Sequence, residues 1–148
     1  MINKYLTKDL IDVKDRVESV DQAIEYCGKQ LIDNGLITEK YTQSMKDTYK
    51  EFGPYMVLVD KVALFHGKPG LGVNKTGLCL VKLNEPYAIK DHKKQIQLCF
   101  AFSSLDKHEH MDMIQSFAQL LMDQSKVDAL CKASSVEEIV KIIEEEEK

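Results

Sequence analysis

Gly77-Leu78-Cys79-Leu80-Val81-Lys82-Leu83 is an apolar run broken by one charge and without polar alternation. Such a run, ended by Asn84-Glu85-Pro86, reads as a strand buried on both faces. Met56-Val57-Leu58-Val59, Val62-Ala63-Leu64-Phe65 and residues 96–102 are similar short runs, and a further strand is expected near residues 11–17. Outward from these strands the period changes. Ser19 and Gln22 resemble a capping box, and Val20, Ala23, Ile24, Cys27 and Leu31 recur at helical spacing until Gly35. Thr38 can cap a second helix through about Phe52, stopped by Gly53-Pro54. Helical period returns at Met111, Ile114, Phe117, Ala118 and Leu121. A last helix opens at Ser135 with Glu138 and carries Val136, Ile139, Val140 and Ile143 on one face. Apolar strands flanked by amphipathic helices imply a three-layer α/β sandwich, a mixed sheet with helices on both faces. No repeat or Ser/Gly/Pro linker divides the chain, so one domain over residues 1–148 is expected.

Composition narrows the function. The 148 residues are 44% hydrophobic and 30% charged, ordinary for a soluble globular protein. The formal net charge of −4 gives no electrostatic support for nucleic-acid binding. No apolar run approaches the length of a membrane span, and MINKYLTKDLID is too polar for a secretory signal. Cys27, Cys79, Cys99 and Cys131 form no CxxC pair and sit among apolar neighbours, as core thiols in a reducing compartment do. Cysteine and histidine never cluster at ligand spacing, so no metal site is expected. There is no nucleophile elbow, P-loop or dinucleotide fingerprint, and no cofactor is implied.

Ala63-Leu64-Phe65-His66-Gly67-Lys68-Pro69-Gly70-Leu71-Gly72-Val73 carries the strongest chemical signal. A histidine ends an apolar strand and a glycine-rich loop follows. The strand would hold the imidazole at the sheet edge, on a rigid scaffold. Gly67, Gly70 and Gly72 permit unusual φ and let backbone N–H groups approach an anion; Lys68 adds a positive charge. A neutral imidazole is nucleophilic near neutral pH and suits phosphoryl acceptance. On spacing alone, a histidine beside a glycine loop is more often structural or merely exposed. A second pair, His108 and His110, opens a helix, where an anion is favoured; a polar first turn is the plainer reading. His92 falls in the charged stretch Lys90-Asp91-His92-Lys93-Lys94, a solvated loop.

Together these residues resemble the enzyme IIA proteins of the mannitol/fructose class of the bacterial sugar phosphotransferase system. The similarity runs from about Ser19 to Ile143. That family ends an apolar strand in Pro-His-Gly, and its histidine carries phosphate. Leu64-Phe65-His66-Gly67 stands at that place, with Phe65 in the position of the usual proline. A histidine ahead of an aliphatic-rich helix matches His110-Met111-Asp112-Met113-Ile114, with His108 as second choice. Lys50-Glu51 occupies the place of an upstream Arg-Glu pair, keeping the charge without the fork of arginine. Gly53-Pro54-Tyr55-Met56-Val57-Leu58, His66-Gly67-Lys68-Pro69 and Gly72-Val73-Asn74-Lys75-Thr76-Gly77 look most like the ascorbate-specific branch.

The resemblance implies a cytoplasmic phosphocarrier. A phosphohistidine carrier protein would donate to Nε2 of His66. The acceptor would be a cysteine of enzyme IIB, which serves a membrane enzyme IIC, while this chain itself does not enter the membrane. L-ascorbate is the expected substrate; mannitol, fructose or galactitol, or a regulatory phosphoacceptor role, are the alternatives. His110, Lys68 and backbone N–H groups, that of Gly67 among them, are candidates to hold the phosphoryl oxygens, with Lys50 nearby. Phe65, Leu71 and Met111 are expected to be exposed as apolar members of a docking patch.

Overall fold

The structure, a computed structural model, describes residues 2–90 and 92–145, the side chains of residues 107–109 excepted. Strands β1 (Ile11–Lys14), β2 (Val57–Val59), β3 (Lys61–Phe65), β4 (Gly77–Ala88) and β5 (Gln95–Ser103) form one sheet in the order β1-β4-β5-β3-β2. β1 with β4 and β3 with β5 are parallel; β4 with β5 and β2 with β3 are antiparallel, so the sheet is mixed. Helices α1 (Val20–Asp33) and α2 (Glu39–Phe52) precede β2. After β5 come α3 (Lys107–Leu121), α4 (Gln124–Lys132) and α5 (Val136–Glu145).

Each face of the sheet has its own apolar core. Ala63, Phe65, Cys79, Val81 and Leu83 point to α1 and α2, meeting Ile24, Cys27, Leu31, Tyr41 and Met45. Val62, Leu64, Leu78, Leu80 and Phe100 point to the other helices, meeting Met113, Phe117, Leu120, Leu130 and Ile139. Burial on both sides is why these strands carry apolar runs instead of alternation. Cys27, Cys79 and Cys99 are fully buried, whereas Cys131 is only half-buried, at the end of α4.

The caps follow local chemistry. Ser19 Oγ accepts from the Gln22 N–H at 3.0 Å, and Gln22 reaches back to the Glu18 N–H at 2.8 Å, one residue earlier than in a standard capping box. Ser135 Oγ accepts from the Glu138 N–H at 3.1 Å, and the Glu138 carboxylate accepts from the Ser134 N–H.

Three features depart from expectation. Asn84-Glu85-Pro86 does not end β4. Residues 83–86 face only Gln97 on β5, because the register shifts between Lys82 and Tyr87. That bulge is tied to Asp15, the residue after β1, by the Glu85 N–H to the Asp15 carbonyl and by Asn84 Nδ2 to Asp15 Oδ1, both at 2.9 Å. Second, α4 was not foreseen; only Val127 and Leu130 of its nine residues are buried, too few to show a period. Third, α3 buries Met113, Ser116, Phe117 and Leu120, so its inner face is turned away from Met111 and Ala118, which are exposed.

Gly28 of α1 packs tightly against Thr42 of α2. A Cβ there would lie 2.5 Å from Thr42 Oγ1, a buried hydroxyl without a hydrogen-bond partner among the described residues. Gly28→Ala should therefore cost about 1–3 kcal/mol by overpacking. Adding Thr42→Ala should return most of that loss, since it removes the clash and an unpaired polar group. Chemical denaturation of both variants measures it; a double variant no more stable than Gly28→Ala contradicts this contact.

Candidate functional site

β3 and β5 run parallel and end side by side, with Phe65 paired to Ala101. Strand parity sends Phe65 into the core beneath α1 and α2, where it is 1% exposed and meets the Tyr49 ring edge-on. The expectation that Phe65 lies on the surface is thereby corrected: the residue before a strand-end histidine faces the opposite layer. His66 turns to the other side and stacks on Phe102, with ring centroids 5.3 Å apart and planes 24° from parallel. His110, near the start of α3, meets the same phenylalanine edge-on at 4.7 Å.

The two imidazoles line one open cleft of about 590 Å³. Leu64, Phe102 and Ile114 form its apolar wall; Thr48, Glu51, Lys68 and Ser104 supply polar groups. Burial pushes the His66 ring below the ordinary histidine value of 6.5; the Gly67 backbone opposes this, and nearby His110 adds to the lowering. The neutral ring is thus the favoured form near neutral pH.

The loop after His66 is gripped by α2. Gly67 is buried and lies outside the left-handed region of φ, which Gly70 and Gly72 occupy. What requires glycine is a close approach: a Cβ at Gly67 would sit 2.7 Å from Ser44 Oγ and 3.1 Å from the Met45 nitrogen. The Gly67 N–H donates to Tyr41 Oη at 3.0 Å, the Lys68 N–H to Ser44 Oγ at 2.8 Å, and the Gly70 N–H to the Ser104 carbonyl at 3.1 Å. The Gly67 and Gly70 donors, expected to face an anion, are engaged within the protein, as is the Lys68 N–H. Lys68 is exposed and lines the cleft.

Other expected residues fall elsewhere. Lys50 is exposed on α2 and outside the cleft lining, where its neighbour Glu51 stands instead. His108 lies outside the described residues. His92 lines a separate concavity with Asp60 and Lys94. Leu71 and Met111 are exposed, as are Phe52, Tyr55 and Leu58 at the corner between α2 and β2. Phe52, Tyr55 and Leu58 line a second hollow that also reaches His66. Tyr41, Ser44 and Phe102 were not singled out in the sequence. Tyr41 has the spacing of a core residue, and only the tertiary fold brings its hydroxyl to the loop.

The family model described as "Phosphoenolpyruvate-dependent sugar phosphotransferase system, EIIA 2" matches residues 4–146. The mannitol-specific cryptic phosphotransferase enzyme IIA component of Escherichia coli K12 is 30% identical over 142 residues, 96% of this chain and 97% of that one. A solution structure of the Escherichia coli protein of that name superposes with a TM-score of 0.88 at 29% identity, covering 97% of this chain and 98% of that one. The ascorbate-specific EIIA component of the same strain is 26% identical over 136 residues, 90% of this chain and 88% of that one. The fold also matches the enzyme IIA of an Escherichia coli complex of mannitol IIA with phosphorylated mannitol IIB, with a TM-score of 0.80 at 24% identity over 93% of this chain and 95% of that one. Matched along nearly its whole length in sequence and in fold, the chain belongs to the EIIA type 2 family of the phosphoenolpyruvate-dependent sugar phosphotransferase system, whose members are phosphotransfer components for sugars and polyols.

Proposed function

We propose that this chain is the phosphoryl carrier of its transport system and that His66 is the acceptor. One arrangement carries the reading: two imidazoles resting on one phenylalanine ring and lining one open cleft. The neutral His66 ring offers a nitrogen lone pair, Nε2 by likeness to the family. That pair attacks the phosphorus of a phosphohistidine carrier protein. The donor N–P bond breaks, the donor ring leaves as neutral imidazole, and the other His66 nitrogen keeps its proton. In the second step a cysteine thiolate of enzyme IIB attacks the phosphorus, and His66 leaves with its electron pair. His110 and Lys68 supply N–H donors to the phosphoryl oxygens, whose charge they stabilise during transfer. Enzyme IIC in the membrane then receives the benefit of the chain of transfers, with this protein acting as one domain in the cytoplasm. The two cores sharing one sheet support the one-domain reading.

Two substrate readings stand. Residues 53–58 and 66–77 look like the ascorbate branch, while relatives named for mannitol match at 30% identity against 26% for the ascorbate one. Recognition of the sugar belongs to the membrane component, so the choice is made by which IIB docks on this surface. Phosphorylated protein is expected to transfer at least tenfold faster to its cognate IIB, a difference of about 1.4 kcal/mol in barrier. Rates to ascorbate-type and mannitol-type IIB, measured side by side, decide between the readings; equal rates contradict selection by docking.

His66→Ala should abolish acid-labile labelling while circular dichroism stays unchanged. His110→Ala should still accept phosphate but pass it on about 10- to 100-fold more slowly, the loss of one charged hydrogen bond of about 1.5–3 kcal/mol. Quench-flow with labelled donor measures both; wild-type labelling of His66→Ala overturns the assignment.

The His66 ring should titrate below 6.5 by NMR. In His110→Ala its midpoint should rise, because a like-charged neighbour is lost, without reaching 6.5, because burial remains. Folding then disfavours the protonated ring. Its stabilising contribution is present above the unfolded value and lost as pH falls through the folded one. A midpoint at or above 6.5 in the wild type contradicts the packing described.

A further inference from the structure

The observation that the phosphocarrier reading leaves unused is a single buried hydroxyl. Tyr41, on α2, is 1% exposed. Its hydroxyl donates to the Phe102 carbonyl at 2.6 Å and accepts from the Gly67 N–H at 3.0 Å. One of these groups belongs to the residue directly after His66. The other belongs to the residue on whose ring His66 stacks and which His110 also touches. The same helix holds the next backbone N–H, that of Lys68, through Ser44 Oγ at 2.8 Å. There is no slack in this contact, since Gly67 has no room for a Cβ against Ser44.

We propose that Tyr41, seconded by Ser44, is a positioning residue for phosphoryl transfer: its hydroxyl ties the ends of β3 and β5 together and so fixes the His66 ring on Phe102. The reaction needs the acceptor nitrogen aimed along the line of the breaking bond, and small errors of position are costly to such transfers. This hydroxyl joins the backbone of the residue directly after the nucleophile to the backbone of its platform, nearer to His66 than the Gly70 N–H to Ser104 carbonyl bond further along the loop. A hydroxyl bonded on both sides can do this only while it keeps its proton, and burial pushes the tyrosine up to about 12, so it does. A consequence is that the Gly67 and Lys68 N–H groups position the loop from behind, leaving side chains of the cleft to meet the phosphoryl oxygens.

The proposal rests on His66 being the acceptor, and its test keeps the two claims apart. Tyr41→Phe removes the hydroxyl and keeps the ring; Ser44→Ala removes the second tie. Ser19→Ala, which loses the α1 cap away from the site, is the control for reduced stability. Tyr41→Phe should slow acceptance at saturating donor about tenfold with KM for the donor within twofold of wild type. Ser44→Ala should slow it less, and Ser19→Ala not at all. NMR of the unphosphorylated proteins should show the His66 ring shifts and midpoint moved in Tyr41→Phe and Ser44→Ala and unmoved in Ser19→Ala. That readout needs no donor, so it stands whether or not His66 accepts phosphate, which wild-type labelling and its loss in His66→Ala decide separately. Wild-type rate and wild-type His66 ring signals in a folded Tyr41→Phe overturn the proposal. Equal slowing in Ser19→Ala does so as well. Should Tyr41→Phe fail to fold, an unchanged rate and unchanged ring signals in Ser44→Ala overturn it.

Discussion

Parallel pairing of β3 with β5 is the constraint on which the site depends. Two adjacent parallel strands present their C-terminal ends at one edge of the sheet, and the residues that follow are held beside each other by the ladder beneath. Here that places His66 against Phe102. Both strands are covered on both faces, so neither can shift register without carrying apolar side chains out of one core and into the other. The position of the imidazole is therefore fixed by the burial of Val62, Ala63, Leu64 and Phe65, well before any chemistry is considered.

A second layer of control comes from α2. The helix is amphipathic and buries Tyr41 and Met45 for packing, but it also turns two hydroxyls toward the loop after His66. Backbone donors that would be orphaned in a buried turn are satisfied in this way. The loop is thus tight where it carries the histidine and opens into left-handed glycines only at Gly70 and Gly72. Rigid support beneath with an open cleft above suits a nucleophile that must meet a donor and an acceptor in turn. Leu71, Met111, Tyr55 and Leu58 are exposed apolar side chains.

Much of this was legible in the sequence, for physical reasons that can be named. The strand-end histidine was visible because an apolar run stops at His66 and a glycine follows. The helix start offered His108 and His110 alike and read as a polar first turn; only the family resemblance put His110 first. The three-layer fold was visible because runs such as residues 77–83 lack polar alternation. What escaped depends on contacts remote in sequence. Phe65 looked like a surface residue beside a site, but parity turns it inward. Gly67 looked like a residue needed for unusual φ, but it is small because Ser44 Oγ is 2.7 Å from where its Cβ would be. Tyr41 looked like any core residue of a helix, since nothing in its neighbourhood along the chain announces a bond to Gly67. The β4 bulge escaped because Asn84-Glu85-Pro86 is a turn sequence that ties to Asp15, just after β1, instead of ending the strand.

The claim at the centre is that one particular imidazole, held on Phe102 at the end of β3, takes the phosphoryl group. Long-range proton–nitrogen NMR of the protein phosphorylated by its donor reads this directly, because a bonded phosphorus splits the nitrogen signal of the ring that carries it. A single phosphorus-coupled nitrogen is expected, Nε2 of His66, with the rings of His92, His108 and His110 uncoupled. A coupling on any of those three, or none on His66, would contradict it.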